Sequence, residues 1–193
     1  MPILLPEDMN MPLPRMYKLR QSFPRHEIND IPAAIRAEMS KEIFASRIKP
    51  GAKVAIAVGS RGIINLPVIV KTTIDCILEA GAKPIIIAAM GSHGGGTAKG
   101  RKEILDEYGI TESAMGVPVV TDGNVSHMGI TKNGIDVFFL QAAKEADLVI
   151  PINRIKPHTD FNFDIQSGLC KMIVVGLGGH QGCSKLPVKT CQD

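Results

Sequence analysis

The sequence predicts an α/β fold with a mainly parallel, Rossmann-like sheet flanked by helices and accompanied by one β-hairpin. Short apolar runs bounded by glycine or proline alternate with segments of helical periodicity, which is the pattern of strands covered by helices on both faces. The chain has 193 residues, of which 45% are hydrophobic and 21% are charged. This length and composition suit one folded domain with a proper core rather than a disordered chain.

The first predicted helix follows an irregular, proline-rich lead of residues 1–16. Asp30 can cap this helix, Pro32 suits its first turn, and Pro50-Gly51 would stop it. Apolar residues recur at helical spacing and predict a surface helix with one buried stripe, formed by Ile31, Ile35, Met39 and Ile43.

Two buried strands and the helices after them are predicted next. Residues 53–58 (KVAIAV) and 83–90 (KPIIIAAM) are continuous apolar runs, as expected for parallel strands. A helix over residues 66–80 lies between them, and a second helix follows the glycine loop of residues 91–100. The remaining elements are a third strand at 117–121, a hairpin turning on Asn133-Gly134, a short helix at 141–146 and a fourth strand at 148–152.

Composition excludes several classes of function. The net charge is +3, the basic residues are scattered, aromatic residues make up 4% and tryptophan is absent, so no nucleic-acid partner is expected. There is no signal-peptide pattern and no apolar run of about 18 residues, so we expect a cytoplasmic protein without a membrane partner. The four cysteines have neither metal-binding nor disulfide-scaffold spacing, which fits reduced thiols.

Polar loops follow three of the predicted strands, with the sequences GSRG, GSHGGG and NRIKPHTDF. In an open α/β sheet, ligands bind in the crevice outside the carboxyl ends of the strands. If the sheet is parallel, the residues that these loops bring to one edge are Ser60, Arg61, His93 and His158.

Two of the five histidines are candidates for acid/base chemistry. His93 lies between Ser92 and three glycines, and His158 follows Pro157 beside charged neighbours that can orient its ring. Each histidine taken alone is more often solvated than catalytic, but two on loops at one edge form a plausible acid/base pair. The other three, His26, His127 and His180, are treated as surface or structural residues, with His180 retained as a minor candidate for a metal ligand.

Arg61 and Lys171 are the candidate cationic ligands. Arg61 lies in a turn at the start of a helix, where free amides favour an anion, although a solvated arginine is the commoner case. Ser60 lies in the same turn and is assigned to the same candidate binding site. Lys171 either reaches solvent from the end of an amphipathic helix or is a reactive amine, and spacing alone favours the first alternative.

Two glycine motifs suggest nucleotide binding without meeting the full pattern. Gly96 is followed by Thr97 and the nearest lysine is Lys99, so the loop is not a phosphate-binding P-loop. Residues 176–182 have glycines spaced GxGxxxG after an apolar run, one residue different from the dinucleotide fingerprint. An NAD site therefore remains an alternative. No spacing specifies a metal site, so the metal ligands remain unknown.

Several blocks in register nevertheless resemble one family. The blocks AVGSRGI, PIIIAAMGSHGGGTAKG, INRIKPHTDF and SGLCKMIVVGLGGHQG are similar to the nickel-pincer lactate racemase family from about Tyr17 to Leu186. The resemblance implies an α/β cofactor-binding domain over residues 17–182, from a two-domain enzyme. It also implies a pyridinium mononucleotide whose two sulfur-containing arms hold nickel and which is joined to a lysine, matched here by Lys171.

The resemblance also implies the reaction, which is the racemisation or epimerisation of a small 2-hydroxy acid. His93 and His158 match the two catalytic histidines, while Arg61 and Ser60 fall in the cofactor and substrate pocket. Hydride transfer to the pyridinium, with a histidine taking the hydroxyl proton, gives a planar 2-keto acid that can be reduced on either face. Cofactor-assembly proteins are the implied partners.

The sequence departs from the family pattern at several positions. Phe163, Gln166 and Gly179 stand where the family commonly has Gly, Glu and Lys, and Pro187 stands where a nickel-binding histidine is expected. Residues 183–193 diverge, and the second domain of the family is expected to be missing, as in a truncated or frame-shifted product or a fragment. The competing interpretation is a non-catalytic α/β domain that binds an anion or a nucleotide.

Overall fold

The computed structural model describes residues 15–24, 27–156 and 168–185. Its helices and strands, in chain order, are α1 (Ile31–Met39), α2 (Glu42–Ala45), β1 (Lys53–Val58), α3 (Leu66–Glu79), β2 (Lys83–Ala88), α4 (Ala98–Glu107), α5 (Glu112–Met115), β3 (Val119–Val120), β4 (Val125–Ile130), β5 (Asp136–Leu140), α6 (Gln141–Lys144), β6 (Leu148–Ile152), α7 (Leu169–Lys171) and α8 (Gly179–Lys185). A 3₁₀ turn covers Gly94–Gly96, and a π-helical turn covers Met172–Gly176.

The central sheet has four parallel strands in the order β3-β2-β1-β6. β4 and β5 form a separate antiparallel hairpin. The predicted α/β class, parallel sheet and hairpin are therefore confirmed. The chain goes from β1 to β2 and β3 on one side and returns to β6 on the other, so the strand order reverses between β1 and β6. Such a switch point opens a crevice at the carboxyl ends of the strands.

β1 has a core on each face of the sheet, which explains its continuous apolar sequence. Val54, Ile56 and Val58 point into a cluster with α3 and α4, and all three are fully buried. The intervening Ala55 and Ala57 belong to a second cluster that includes Leu140, Met172 and Leu177. Because alanine is small, the segment that follows residue 168 can pack close to this face of the sheet.

The first helical region differs from the prediction. Asp30 caps α1 by accepting a hydrogen bond from the Ala33 amide at 2.9 Å, as expected. The expected single helix up to Pro50 is wrong, because α1 ends at Met39 and the backbone is extended at Lys41 before α2. The Ser40 hydroxyl donates to the Ala37 carbonyl at 2.9 Å, and such local bonds compete with helix continuation. The predicted stripe is also only partly buried, since no α1 residue is fully buried.

The other predicted elements are present: β1 and β6 have the predicted bounds, the hairpin strands are longer than predicted, and two strands are shorter. The second strand ends at Ala88 rather than at residue 90, and the third strand keeps only Val119–Val120. The residues released from β2 begin the glycine loop at the carboxyl edge of the sheet. In the part of the chain that the structure describes, no helix is long and apolar enough to cross a bilayer.

Candidate functional site

The turn after β1 carries Ser60 and Arg61 at the carboxyl edge of the sheet. The Ala89 amide donates to the Val58 carbonyl at 2.9 Å, so the ends of β1 and β2 are tied together immediately before their loops. The Tyr108 hydroxyl, at the end of α4, donates to the Ser60 carbonyl at 2.7 Å. The turn is thus held by both the neighbouring strand and the following helical layer.

The glycine loop after β2 is shaped by close backbone approaches. Gly91 has φ +59°, and a β-carbon there would lie 2.7 Å from Cys183 Sγ and 2.9 Å from the Val175 carbonyl oxygen. Gly94 has φ +66°, and a β-carbon there would lie 2.6 Å from the Gly100 carbonyl carbon. Only glycine combines these backbone angles with this proximity. The loop therefore fits tightly against α8 on one side and α4 on the other.

His93 is the titratable group in this loop, and it is hydrogen-bonded to Ser60. The bond joins Ser60 Oγ to His93 Nδ1. The side chain remains exposed on the surface, yet part of the ring is shielded from water. This partial burial lowers the pKa of His93 below its usual value, and the cations Arg61 and Lys171 lower it further. The imidazole is consequently biased towards its neutral form.

Lys171 reaches the same edge from the opposite face of the sheet. It ends the one-turn helix α7 and is exposed, while the next residue, Met172, is buried. A β-carbon on Gly59 would lie 3.4 Å from Met172 Cε, so Met172 packs at the end of β1. Gly176 lies against the end of β2, since a β-carbon there would be 2.8 Å from the Ala89 carbonyl oxygen. These contacts fix the backbone on which Lys171 stands.

The π-helical turn after Lys171 is closed by backbone hydrogen bonds. The Leu177 amide donates to the Met172 carbonyl at 2.9 Å, a pair separated by five residues. The Leu177 carbonyl accepts from the Leu140 amide at 2.7 Å, which joins the turn to the end of β5. π-turns often occur at functional sites.

Two residues that sequence reasoning did not assign to the site lie close to it. Cys183 Sγ is half-buried and donates to the Val175 carbonyl at 3.6 Å. Burial raises the pKa of the Cys183 thiol, while the Ser92 amide and the Lys171 charge oppose that shift. A β-carbon on Gly96 would lie 3.2 Å from His180 Nδ1. Their positions depend on how α8 docks against the glycine loop, which no local sequence pattern signals.

The structure therefore brings together four of the five predicted site residues: Ser60, Arg61, His93 and Lys171. The fifth, His158, lies outside the described residues, as do Phe163, Gln166 and Pro187. Within the described ranges there is no group of three or more His, Cys, Asp or Glu side chains that could hold a metal ion. The proposed NAD motif at residues 176–182 is not supported, because its preceding apolar run is a π-helical turn instead of the strand that a dinucleotide fingerprint requires.

A groove of about 750 Å³ lies elsewhere, between α1 and the start of α3. Its lining is mostly apolar and includes Ile28, Ile31, Ile35, Met39, Ile64 and Ile69. Of the predicted site residues that the structure describes, none lines it. The chemistry-bearing side chains are instead found at the carboxyl edge of the sheet, where the strand order reverses.

The arrangement at this edge suits proton transfer to or from an anionic molecule. A largely neutral imidazole can accept a proton, and the cations beside it can attract a carboxylate or a phosphate. The model of one protein family, described as the lactate racemase N-terminal domain, matches residues 5–189. A search of curated proteins finds no match to the chain.

Proposed function

The chain belongs to the lactate racemase N-terminal domain family, and from this membership we propose that it is the cofactor-binding domain of a 2-hydroxy-acid racemase or epimerase. The observation that supports this function is the clustering of His93, Arg61 and Lys171 at one edge of the sheet. A base that takes the proton of a substrate hydroxyl must be unprotonated at the working pH. Burial and the two cations favour that state of His93.

Lys171 fits the role of covalent anchor for the nickel-pincer cofactor. Lys171 is exposed, its charge acts on His93, and buried Met172 fixes the backbone next to it. Arg61 and Ser60 would line the same pocket. The described residues provide no cluster of metal ligands. The fit of this site to the cofactor therefore depends on Lys171 and not on nickel coordination. When bound, the cofactor supplies an electrophilic pyridinium ring that accepts the α-hydrogen of the substrate as hydride.

The residues of the proposed site have separate roles in the reaction. His93 takes the hydroxyl proton of one enantiomer and returns it when the reaction runs backwards. His158, as the second histidine of the pair, gives a proton to the 2-keto oxygen when the other enantiomer forms, and takes the hydroxyl proton of that enantiomer in the reverse direction. Arg61 holds the substrate carboxylate, since a guanidinium can donate two parallel hydrogen bonds to it. Cofactor-assembly proteins would act on Lys171, so its exposure is compatible with their access.

Covalent loading tests this function directly. The chain would be coexpressed with cofactor-assembly proteins and nickel, and its intact mass and peptide map would be measured. We expect a mass increment on Lys171 that is lost in Lys171→Arg and retained in Lys185→Arg, a control for another lysine exposed in the same segment. If Lys171 stays unmodified under conditions that modify an intact homologue, the proposed function is wrong.

A second candidate is a non-catalytic domain that holds an anionic metabolite or nucleotide. The cations Arg61 and Lys171, whose charges both act on His93, favour it, because they attract an anion without any need for turnover. Calorimetry with 2-hydroxy acids and with nucleotides would compare the wild type with Arg61→Ala. Binding that depends on Arg61, without modification of Lys171, would support this candidate over the racemase.

A further inference from the structure

We propose that Ser60 is a positioning residue that accepts a hydrogen bond from His93 Nδ1–H, so that Nε2 is the nitrogen free to act as the base. The two side chains are hydrogen-bonded, but either could be the donor, since neutral imidazole carries its proton on one nitrogen or the other. Which tautomer is present decides which nitrogen can take a proton. The catalytic meaning of this choice rests on the proposed racemase function, whereas the tautomer can be measured without any turnover.

The charges around His93 favour the tautomer with its proton on Nδ1. The cations whose charges act on the ring are those of Arg61, in the turn after β1, and Lys171, at the end of α7. Arginine and lysine are donors with no acceptor capacity. A ring nitrogen that keeps its lone pair is therefore better matched to these neighbours than an N–H group. Ser60 Oγ occupies Nδ1 as its hydrogen-bond partner, so Nε2 is the ring nitrogen left open to these cations, and we assign the lone pair to it.

The hydroxyl of Ser60 can serve both protonation states of the ring without moving. Imidazolium must donate from both nitrogens, and the neutral tautomer proposed here also donates from Nδ1. Ser60 Oγ accepts in each case, so only Nε2 gains or loses the proton. In the part of the chain that the structure describes, Nε2 makes no hydrogen bond, which leaves it available to a substrate hydroxyl.

The backbone around Ser60 is fixed in a way that this role requires. The Tyr108 hydroxyl donates to the Ser60 carbonyl at 2.7 Å, and the His93 amide donates to the Met90 carbonyl at 3.1 Å. The Ala89–Val58 backbone bond of 2.9 Å joins the two strand ends. Since both partners of the Ser60–His93 bond stand on tethered backbone, the ring orientation is set before a substrate arrives.

The test is the tautomer of His93, read from the nitrogen resonances of the imidazole ring in the full chain labelled with ¹⁵N. The spectrum would be recorded above the pH at which His93 titrates and assigned with His93→Gln. We expect a protonated Nδ1 and an unprotonated Nε2 as the dominant form in the wild type. Ser60→Ala should make this form the minor one, whereas Ser60→Thr, which keeps a hydroxyl, should restore it.

Ser92→Ala is the matched control, because it removes the serine hydroxyl next to His93 in sequence and should leave the tautomer unchanged. A wild-type spectrum dominated by Nε2–H would overturn the proposal, and this result needs no variant to fold. An unchanged tautomer in a folded Ser60→Ala protein would overturn it as well. If the wild-type chain is not loaded at Lys171 but shows the expected tautomer, the proposed racemase function is contradicted. The positioning role of Ser60 is then still supported.

Discussion

The two edges of the parallel sheet use their polar groups in opposite ways. At the amino edge, the Lys53 amide donates to Asp147 Oδ2 at 2.8 Å and the Asp147 amide donates to the Lys53 carbonyl at 2.9 Å. Glu145 completes this edge with an ion pair to Lys53 at 3.6 Å. At the carboxyl edge, partial burial and then the charges of Arg61 and Lys171 disfavour the protonated form of His93.

The difference shows which edge of the sheet contributes to the stability of the fold and which does not. Opposite charges and reciprocal hydrogen bonds at the amino edge stabilise the start of β1. Charges of one sign at the carboxyl edge do not stabilise the fold, but they set the ionisation of a base and attract anions. Polar substitutions at the first edge should therefore change stability, and those at the second should mainly change protonation.

The largest loss of stability is expected at the carboxyl edge, which runs against this contrast. The backbone of the glycine loop is tightly packed there, although the polar side chains are not. Gly91→Ala adds a methyl group at positive φ and within 3 Å of Cys183 and Val175. We expect a loss of about 3 kcal/mol in the free energy of unfolding. Gly95→Ala, at φ +64° with nothing within 4 Å, should lose only about 1 kcal/mol. Equal losses in urea denaturation would show that loop packing against α8 adds nothing.

The amino edge should show the next largest effect. Asp147→Ala leaves the Lys53 amide without its carboxylate partner, and we expect a loss of about 1 kcal/mol in the free energy of unfolding. Asp147→Asn keeps an acceptor oxygen and should lose less. At the opposite edge, Arg61→Ala should change stability by less than about 0.5 kcal/mol. Urea denaturation measures these changes. A larger loss of unfolding free energy from Arg61→Ala than from Asp147→Ala would contradict the proposed difference between the two edges.

Acid sensitivity should separate the edges further. The pKa of His93 is lowered on folding, so below about pH 6.5 the unfolded chain binds this proton more readily than the folded chain. Stability should fall as the pH drops from about 6.5 through the lower pKa of the folded state. His93→Gln removes this contribution, and its unfolding free energy should decline less over the same range. Parallel pH profiles for the two proteins would contradict the prediction.

The smallest expected effect is a change in the titration of His93 when one cation is removed. Arg61→Met and Lys171→Met should each raise the pKa of His93 towards its ordinary value, and Arg61 should have the larger influence of the two. Lys185→Met provides a control in which the lost charge belongs to the end of α8. Proton NMR titration measures all three variants. A larger shift from Lys171→Met than from Arg61→Met would require a different geometry at the edge.

Much of this edge could be predicted from the sequence, for a physical reason. Apolar runs that end at glycine define strand ends, and parallel strands bring their carboxyl ends together, as the pairing of Val58 with Ala88 illustrates. The adjacency of Ser60, Arg61 and His93 follows from that rule alone. The proximity of Lys171 was expected only from family resemblance, because it reaches the edge through packing of Met172 on the opposite face.

The features that sequence reasoning missed depend on tertiary contacts or on competing local bonds. Cys183 and His180 approach the glycine loop because α8 docks there, and their side chains carry no periodic signal of that docking. The break after α1 depends on the Ser40 hydroxyl competing for a backbone carbonyl, a weak effect that helical spacing of apolar residues conceals. A π-helical turn likewise has the same apolar composition as a strand or an α-helix.

That π-helical turn makes the direction of Lys171 depend on the number of residues in the segment. A π-turn accommodates one residue more than the corresponding turn of an α-helix. Deleting Val174 would allow residues 172–176 to close as an ordinary α-helical turn, and it would rotate everything before the deletion by about 100° relative to α8. Lys171 would then point away from His93 while every side chain of the pocket was still present. A single-residue deletion in this segment would therefore change the direction of the Lys171 side chain. Such a change in length would be more damaging to the site than most substitutions.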